Sequence, residues 1–94
     1  MALETTPWDS AELLVSKEAI AAYIEAAFED GDPALIKHAL GVVARAKGMS
    51  QFARETGVTR EGLYKALSSD GDPKLSTLLS VLKALGMKVS ARAA

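Results

Sequence analysis

The twenty residues Met49-Ser50-Gln51-Phe52-Ala53-Arg54-Glu55-Thr56-Gly57-Val58-Thr59-Arg60-Glu61-Gly62-Leu63-Tyr64-Lys65-Ala66-Leu67-Ser68 decide how this chain is read. Small, turning and apolar residues fall where two short helices meeting at a corner need them. Ala53 is small where the helices touch, Gly57 stands in a turn that requires left-handed backbone, and Val58 plugs the corner. The spacing predicts a helix over 50–56 and a second from Thr59, whose hydroxyl can cap it, to about Leu67. Phe52, Leu63 and Ala66 fall inward, leaving Thr59, Arg60, Glu61, Tyr64, Lys65 and Ser68 outward on the second helix. This is the pattern of a helix-turn-helix, and its alternative is an ordinary tight helical hairpin.

An α-helix fits the major groove of double-stranded DNA, where the first residues of such a recognition helix meet base edges. Thr59, Arg60 and Glu61 are therefore the candidate readers; Arg60 can bond guanine and Glu61 can accept from cytosine N4. Ser50 and Gln51 open the preceding helix, whose free N–H groups and dipole favour a phosphate. Arg45, Lys47, Arg54 and Lys65 are candidate backbone clamps. Gly62 stands out, since glycine inside a helix costs about 1 kcal/mol relative to alanine. Close approach of the DNA backbone or of another helix would account for it; otherwise it is a tolerated defect.

Outward from this motif the chain is punctuated helix. Ser16 can cap a helix from Lys17 to about Glu29, with Ile20, Tyr23, Ile24, Ala27 and Phe28 on one face, and Asp30-Gly31 stops it. Asp32-Pro33 supplies the cap and first residue of another, to about Ala46, with Leu35, Ile36, Ala39, Leu40 and Val43 inward. A last helix over 75–85 carries Leu75, Leu78, Leu79, Leu82 and Leu85 on one stripe, and Gly86 suits a left-handed C-cap. Beyond it Met87, Val89 and Ala91 alternate with Lys88, Ser90 and Arg92, the period of a short half-buried strand that must find a partner. Asp30-Gly31-Asp32-Pro33-Ala34-Leu35 nearly recurs as Asp70-Gly71-Asp72-Pro73-Lys74-Leu75. Two copies with different flanks and no distal glutamate make neither a repeat protein nor a calcium loop, so both read as helix stop, turn and N-cap.

With 94 residues there is room for one domain. The expected fold is all-α, a bundle of about five helices with one short strand at most. Residues 1–8 form a fraying N-terminus whose Trp8 tucks against the first helices, 9–32 an acidic helical extension, 33–86 the helix-turn-helix core, and 87–94 a strand or tail. No cysteine and a single histidine, His38, leave no disulfide framework, zinc knuckle or nucleophile–base pair, so neither an enzyme, a metal nor a cofactor is expected. Uncharged runs such as 19–24 and 39–44 fall far short of the ~20 residues of a membrane span, and the first residues carry Glu4 and Asp9 rather than a basic leader. A soluble, cytoplasmic protein is expected.

The net charge of −1 conceals an asymmetry. Residues 1–44 hold two bases against eight acids, and residues 45–94 nine bases against four. One half suits an anion and the other a cationic partner, unless the imbalance merely reflects solvated helix faces.

The runs Tyr23 to Pro33, Ala39-Leu40-Gly41, Ala44-Arg45-Ala46, Gly57 to Ser68 and Ala84-Leu85-Gly86 together resemble the addiction-module antidote proteins, small HigA-like antitoxins of the Xre helix-turn-helix type. The resemblance spans about residues 9–90. It implies a lambda-repressor-like helical fold and the role of antitoxin in a type II toxin–antitoxin module. Such a protein binds its own promoter as an autorepressor and neutralises a RelE/HigB-like toxin that cuts mRNA on the ribosome. Tyr64 matches a tyrosine typical of the family's recognition helix. Asp72 departs from the asparagine expected before the proline, a change that should leave the cap intact, and Trp8 is less usual.

Toxins of that kind engage RNA and tend to be basic, so the acidic segment is the candidate toxin surface. Trp8, Leu13, Leu14 and Tyr23 would supply apolar anchors, and Glu25 and Glu29 steering charge. The rival view makes helix 17–29 plain scaffolding. Recognition of an inverted-repeat operator calls for a homodimer, with 87–92 and the leucine stripe of 75–85 as candidate contacts. A stand-alone prophage-type regulator and a protein-interaction module are the alternative functions. RNA binding is disfavoured, because the basic half lacks a stacking platform.

Overall fold

The computed structural model describes residues 16–94, and over that span it is all helix and connection. Five helices follow in order: α1 (Lys17–Asp30), α2 (Pro33–Lys47), α3 (Met49–Thr56), α4 (Arg60–Ala66) and α5 (Leu75–Ala84). The expectations for 1–8 and for the first part of the acidic extension, with Trp8, Leu13 and Leu14, lie outside the described residues.

Local chemistry sets the boundaries. The Ser16 hydroxyl accepts from the Ala19 amide at 3.1 Å, and the Asp32 carboxylate accepts from that of Ala34 at 3.0 Å with Pro33 behind it. Gly31 and Gly57 end α1 and α3 at φ 84° and 78°, a region where a β-carbon would be strained. Each then donates to the carbonyl four residues back, Ala27 and Ala53 respectively. Gly86 also turns left-handed after α5, at φ 75°.

Helix α3 is the hub of the bundle. It packs on α2, α4 and α5, while α1 lies against α2. Its Phe52 has no exposed surface and sits with Ile24, Leu40, Val43, Leu63 and Val81 at the centre of the core. Truncating such a ring to alanine typically costs about 3–5 kcal/mol. Ala53 is buried beside it and Val58 packs against the core from the turn. Leu63 is wholly buried, and Ala66 half-buried.

Three expectations are corrected. Residues 87–94 carry no helix or strand, because a strand is defined by a ladder to a neighbour and none is present among the described residues. The second Asp-Gly-Asp-Pro copy does not cap a helix: α5 starts two residues after Pro73, with Lys74 at its N-cap and no side-chain cap bond. What fixes that copy is Gly71, where a β-carbon would collide with the carbonyls of Lys65 and Ala66. Lys37 donates across from α2 to the carbonyls of Ser69 and Gly71, so the connection is pinned to the bundle before α5 begins. Finally, Leu35, Leu75 and Leu79 are not core residues, being 40%, 68% and 43% exposed. The α5 stripe is split, with Leu82 and Leu85 buried, Leu78 half-buried and the first and third leucines on the surface.

Candidate nucleic-acid interface

The turn between α3 and α4 is fixed by its own side chains. The Thr56 hydroxyl donates to the Ala53 carbonyl at 2.9 Å and accepts from the Val58 amide at 3.2 Å, stitching the turn on both sides of Gly57. The Thr59 hydroxyl oxygen then accepts from the Gly62 amide at 2.9 Å, capping α4 as its position predicted. A β-carbon on Gly62 would stand 2.9 Å from that oxygen and 3.3 Å from Val58 Cγ1. The glycine therefore leaves room for the cap and the corner plug, a reason that neither close approach of another helix nor of DNA is needed to supply.

Beside the start of α4 lies an open cleft of about 440 Å³, lined by Arg45, Lys47, Gly48, Met49, Ser50, Gln51, Arg60 and Tyr64. Among the described residues three cations line it and no carboxylate does. Its floor includes the start of α3, whose N-cap Gly48 makes no side-chain cap bond, so the first-turn N–H groups stay available to an anion. Gly48 adopts φ 93°, ψ 114° and lets α2 pass into α3 after one residue, which holds Arg45 and Lys47 next to Ser50 and Gln51.

Two of the cations are positioned by neighbours. The Arg60 guanidinium lies 5.3 Å from the centroid of the Tyr64 ring, one helical turn on, a cation–π distance. Arg45 folds back along α2 over Gly41, where a β-carbon would come within 3.3 Å of a guanidinium nitrogen. Gln51 reaches along α3 to Glu55 at 3.3 Å. Sequence reasoning reads Gly48 as the stop of α2, which it is, but misses the parts that Gly41 and Thr56 play; only the backbone path shows what they hold in place.

Of the eleven candidate DNA-contact residues named from the sequence, the cleft gathers Arg45, Lys47, Ser50, Gln51, Arg60 and Tyr64. Arg54, Thr59, Glu61, Lys65 and Ser68 are exposed but lie off its lining. Ser68 donates to the Lys65 carbonyl at 2.9 Å, at the far end of α4. Of the candidate toxin contacts, Glu25 and Glu29 are exposed on α1 and Tyr23 is half-buried there. His38 is exposed. Among the described residues no group of three or more histidines and carboxylates is placed to hold a metal, and no helix is long and apolar enough to cross a membrane.

A protein of Haemophilus influenzae (strain ATCC 51907 / DSM 11121 / KW20 / Rd), described as an uncharacterized protein, is 47% identical over 81 residues, covering 86% of this chain and 84% of that one. No solved structure matches. The family model described as "Probable addiction module antidote protein" matches residues 4–93. An addiction module pairs an antidote with a toxin, so the family implies a toxin partner. With nearly its whole length covered, the chain belongs to the addiction module antidote family.

Proposed function

We propose that this antidote is a HigA-like antitoxin of the Xre type, with a lambda-repressor-like arrangement in which α3 and α4 form the helix-turn-helix. It acts in the cytoplasm as a homodimer on double-stranded operator DNA and represses its own promoter. Helix α4 enters the major groove with Arg60 and Glu61 toward base edges, Tyr64 beneath Arg60, and Thr59 at the cap. Arg45, Lys47 and the N-terminus of α3, with Ser50 and Gln51, seat a phosphate; Arg54, Lys65 and Ser68 lie along the flanking backbone. The observation that carries this reading is the cleft, where three cations and an uncapped helix start border the first turn of α4 with no carboxylate among the described lining residues.

The partner is a RelE/HigB-like toxin that cleaves mRNA. Glu25 and Glu29, exposed on α1, are its steering charges and Tyr23 an anchor, together with Trp8, Leu13 and Leu14. One co-expression experiment tests both activities. The chain, produced with the product of the neighbouring reading frame, should co-purify with it, suppress its RNA cleavage and retard DNA from upstream of its own gene. A chain that suppresses cleavage yet ignores that DNA is an antidote without autorepression, and the operator reading is lost.

A further inference from the structure

After the Met87 amide, which donates to the Leu82 carbonyl at 2.9 Å, no backbone N–H of 88–94 meets an acceptor among the described residues. The segment carries no assigned helix or strand, and together with α1 it lines a groove of about 420 Å³. Ile24, Phe28, Leu82 and Met87 give it an apolar lining. Glu25 and Glu29 border it from α1, and Lys88 and Arg92 from the segment. Val89 also lines it while remaining 53% exposed. A backbone segment left unpaired among the described residues, beside an apolar groove, is a template for a further strand.

We propose that this groove seats a second copy of the chain, whose residues 87–92 run antiparallel to these and whose Lys88 and Arg92 face Glu25 and Glu29. The inference rests on the dimeric reading above and names its contact. A two-fold interface presses one surface against itself, so it must be self-complementary. This groove is, because its acids and bases stand on different elements and each set meets its opposite when two copies face. DNA would meet Glu25 and Glu29 in this groove, and a toxin steered by those two carboxylates would have to reach them from the rim, clear of Lys88 and Arg92.

Charge also selects the register. Side chains on one face pair only when the two positions add to an even number. Centred on Val89, the pairing sets Met87 opposite Ala91 and Lys88 opposite Ser90. Centred on Ser90, it would set Lys88 opposite Arg92, and like charges directly opposite are destabilising.

The test uses two full-length variants, E25K/E29K and K88E/R92E, examined by sedimentation alone and as a one-to-one mixture. All four positions are exposed, and helix content is followed by circular dichroism. Wild type should dimerise. Each variant alone should self-associate more than about tenfold more weakly, since like-charge juxtaposition costs several kcal/mol. The mixture should recover the dimer, because α1 of each variant then meets an opposite charge on the other's segment. Monomeric wild type, or variants that dimerise normally, would overturn the proposal. So would a mixture that stays monomeric, as a contact within one chain predicts. A dimer indifferent to these charges but lost in L75E/L79E would place the contact on the exposed leucines of α5. None of these substitutions touches the cleft, so DNA binding is judged separately on the wild-type chain.

Discussion

Arg60 opens α4 and its guanidinium is carried over the face of Tyr64, 5.3 Å from the ring centroid. The ring is 44% exposed, so the pair forms an outward platform rather than a core contact. An arginine held in this way loses less side-chain freedom when its planar fork meets a guanine edge. Arg60→Ala should weaken binding to the specific operator by about 1–3 kcal/mol and relax sequence preference. Tyr64→Ala should reproduce part of that loss. If Arg60→Ala costs as much on random duplex as on operator, Arg60 only clamps phosphate.

Lys47 in the cleft is assigned the opposite role. Lys47→Ala should weaken binding to all sequences alike and lower the salt slope by about 1. A sequence-selective effect would place Lys47 at a base.

The Thr59 cap and Gly62 make a coupled pair. Helix propensity alone predicts that Gly62→Ala stabilises by about 1 kcal/mol, but the new β-carbon would stand 2.9 Å from Thr59 Oγ1. Gly62→Ala should therefore bring no gain in the wild-type background. Thr59→Ala should cost about 1 kcal/mol by removing the cap, and Gly62→Ala should be favourable in that background. Chemical denaturation of the two single variants and the double decides the matter; additive effects would show that the contact relaxes freely.

Gly71→Ala should destabilise the fold by about 1–3 kcal/mol, the usual range for overpacking, because its β-carbon would meet the carbonyls of Lys65 and Ala66. Gly71 differs from Gly31 and Gly57 in lying outside the positive-φ region, so its requirement is space rather than backbone hand. An unchanged denaturation midpoint would mean that the connection moves aside without cost.

Toxin association should slow in E25K/E29K at low salt, and the difference should shrink as salt screens charges beyond about 8–10 Å. K88E/R92E serves as the control, since it disturbs the proposed self-pairing while keeping the α1 carboxylates. Equal slowing in both variants would trace the effect to dimerisation, and no slowing in either would move the toxin surface away from α1.

Much of the fold was legible because its punctuation is local. Ser16, Asp32 and Thr59 cap helices, and Gly31, Gly57 and Gly86 take left-handed turns, through interactions reaching no more than four residues along the chain. What was not legible depends on distant partners. Leu75 and Leu79 share the helical stripe of Leu82, yet only the path of α5 over α3 decides which leucines are covered. Asp72-Pro73 copies Asp32-Pro33 letter for letter, but Lys37 and the close approach at Gly71 fix the second copy differently. At the site, charge pattern pointed to Arg45, Lys47 and Arg60, whereas the fold shows that they share one cleft and that Arg54 and Lys65 do not.

The most direct test of the account is the salt dependence of wild-type binding to a duplex from upstream of its own gene, with a scrambled duplex beside it. If Arg45 and Lys47 each neutralise a phosphate, the logarithm of the binding constant should fall with the logarithm of salt with a slope of about −2 per protomer, or steeper. The upstream duplex should bind at least about a thousandfold more tightly than the scrambled one. A flat salt dependence, or equal affinity for the two duplexes, would contradict the claim that the cleft and α4 form an operator-reading surface.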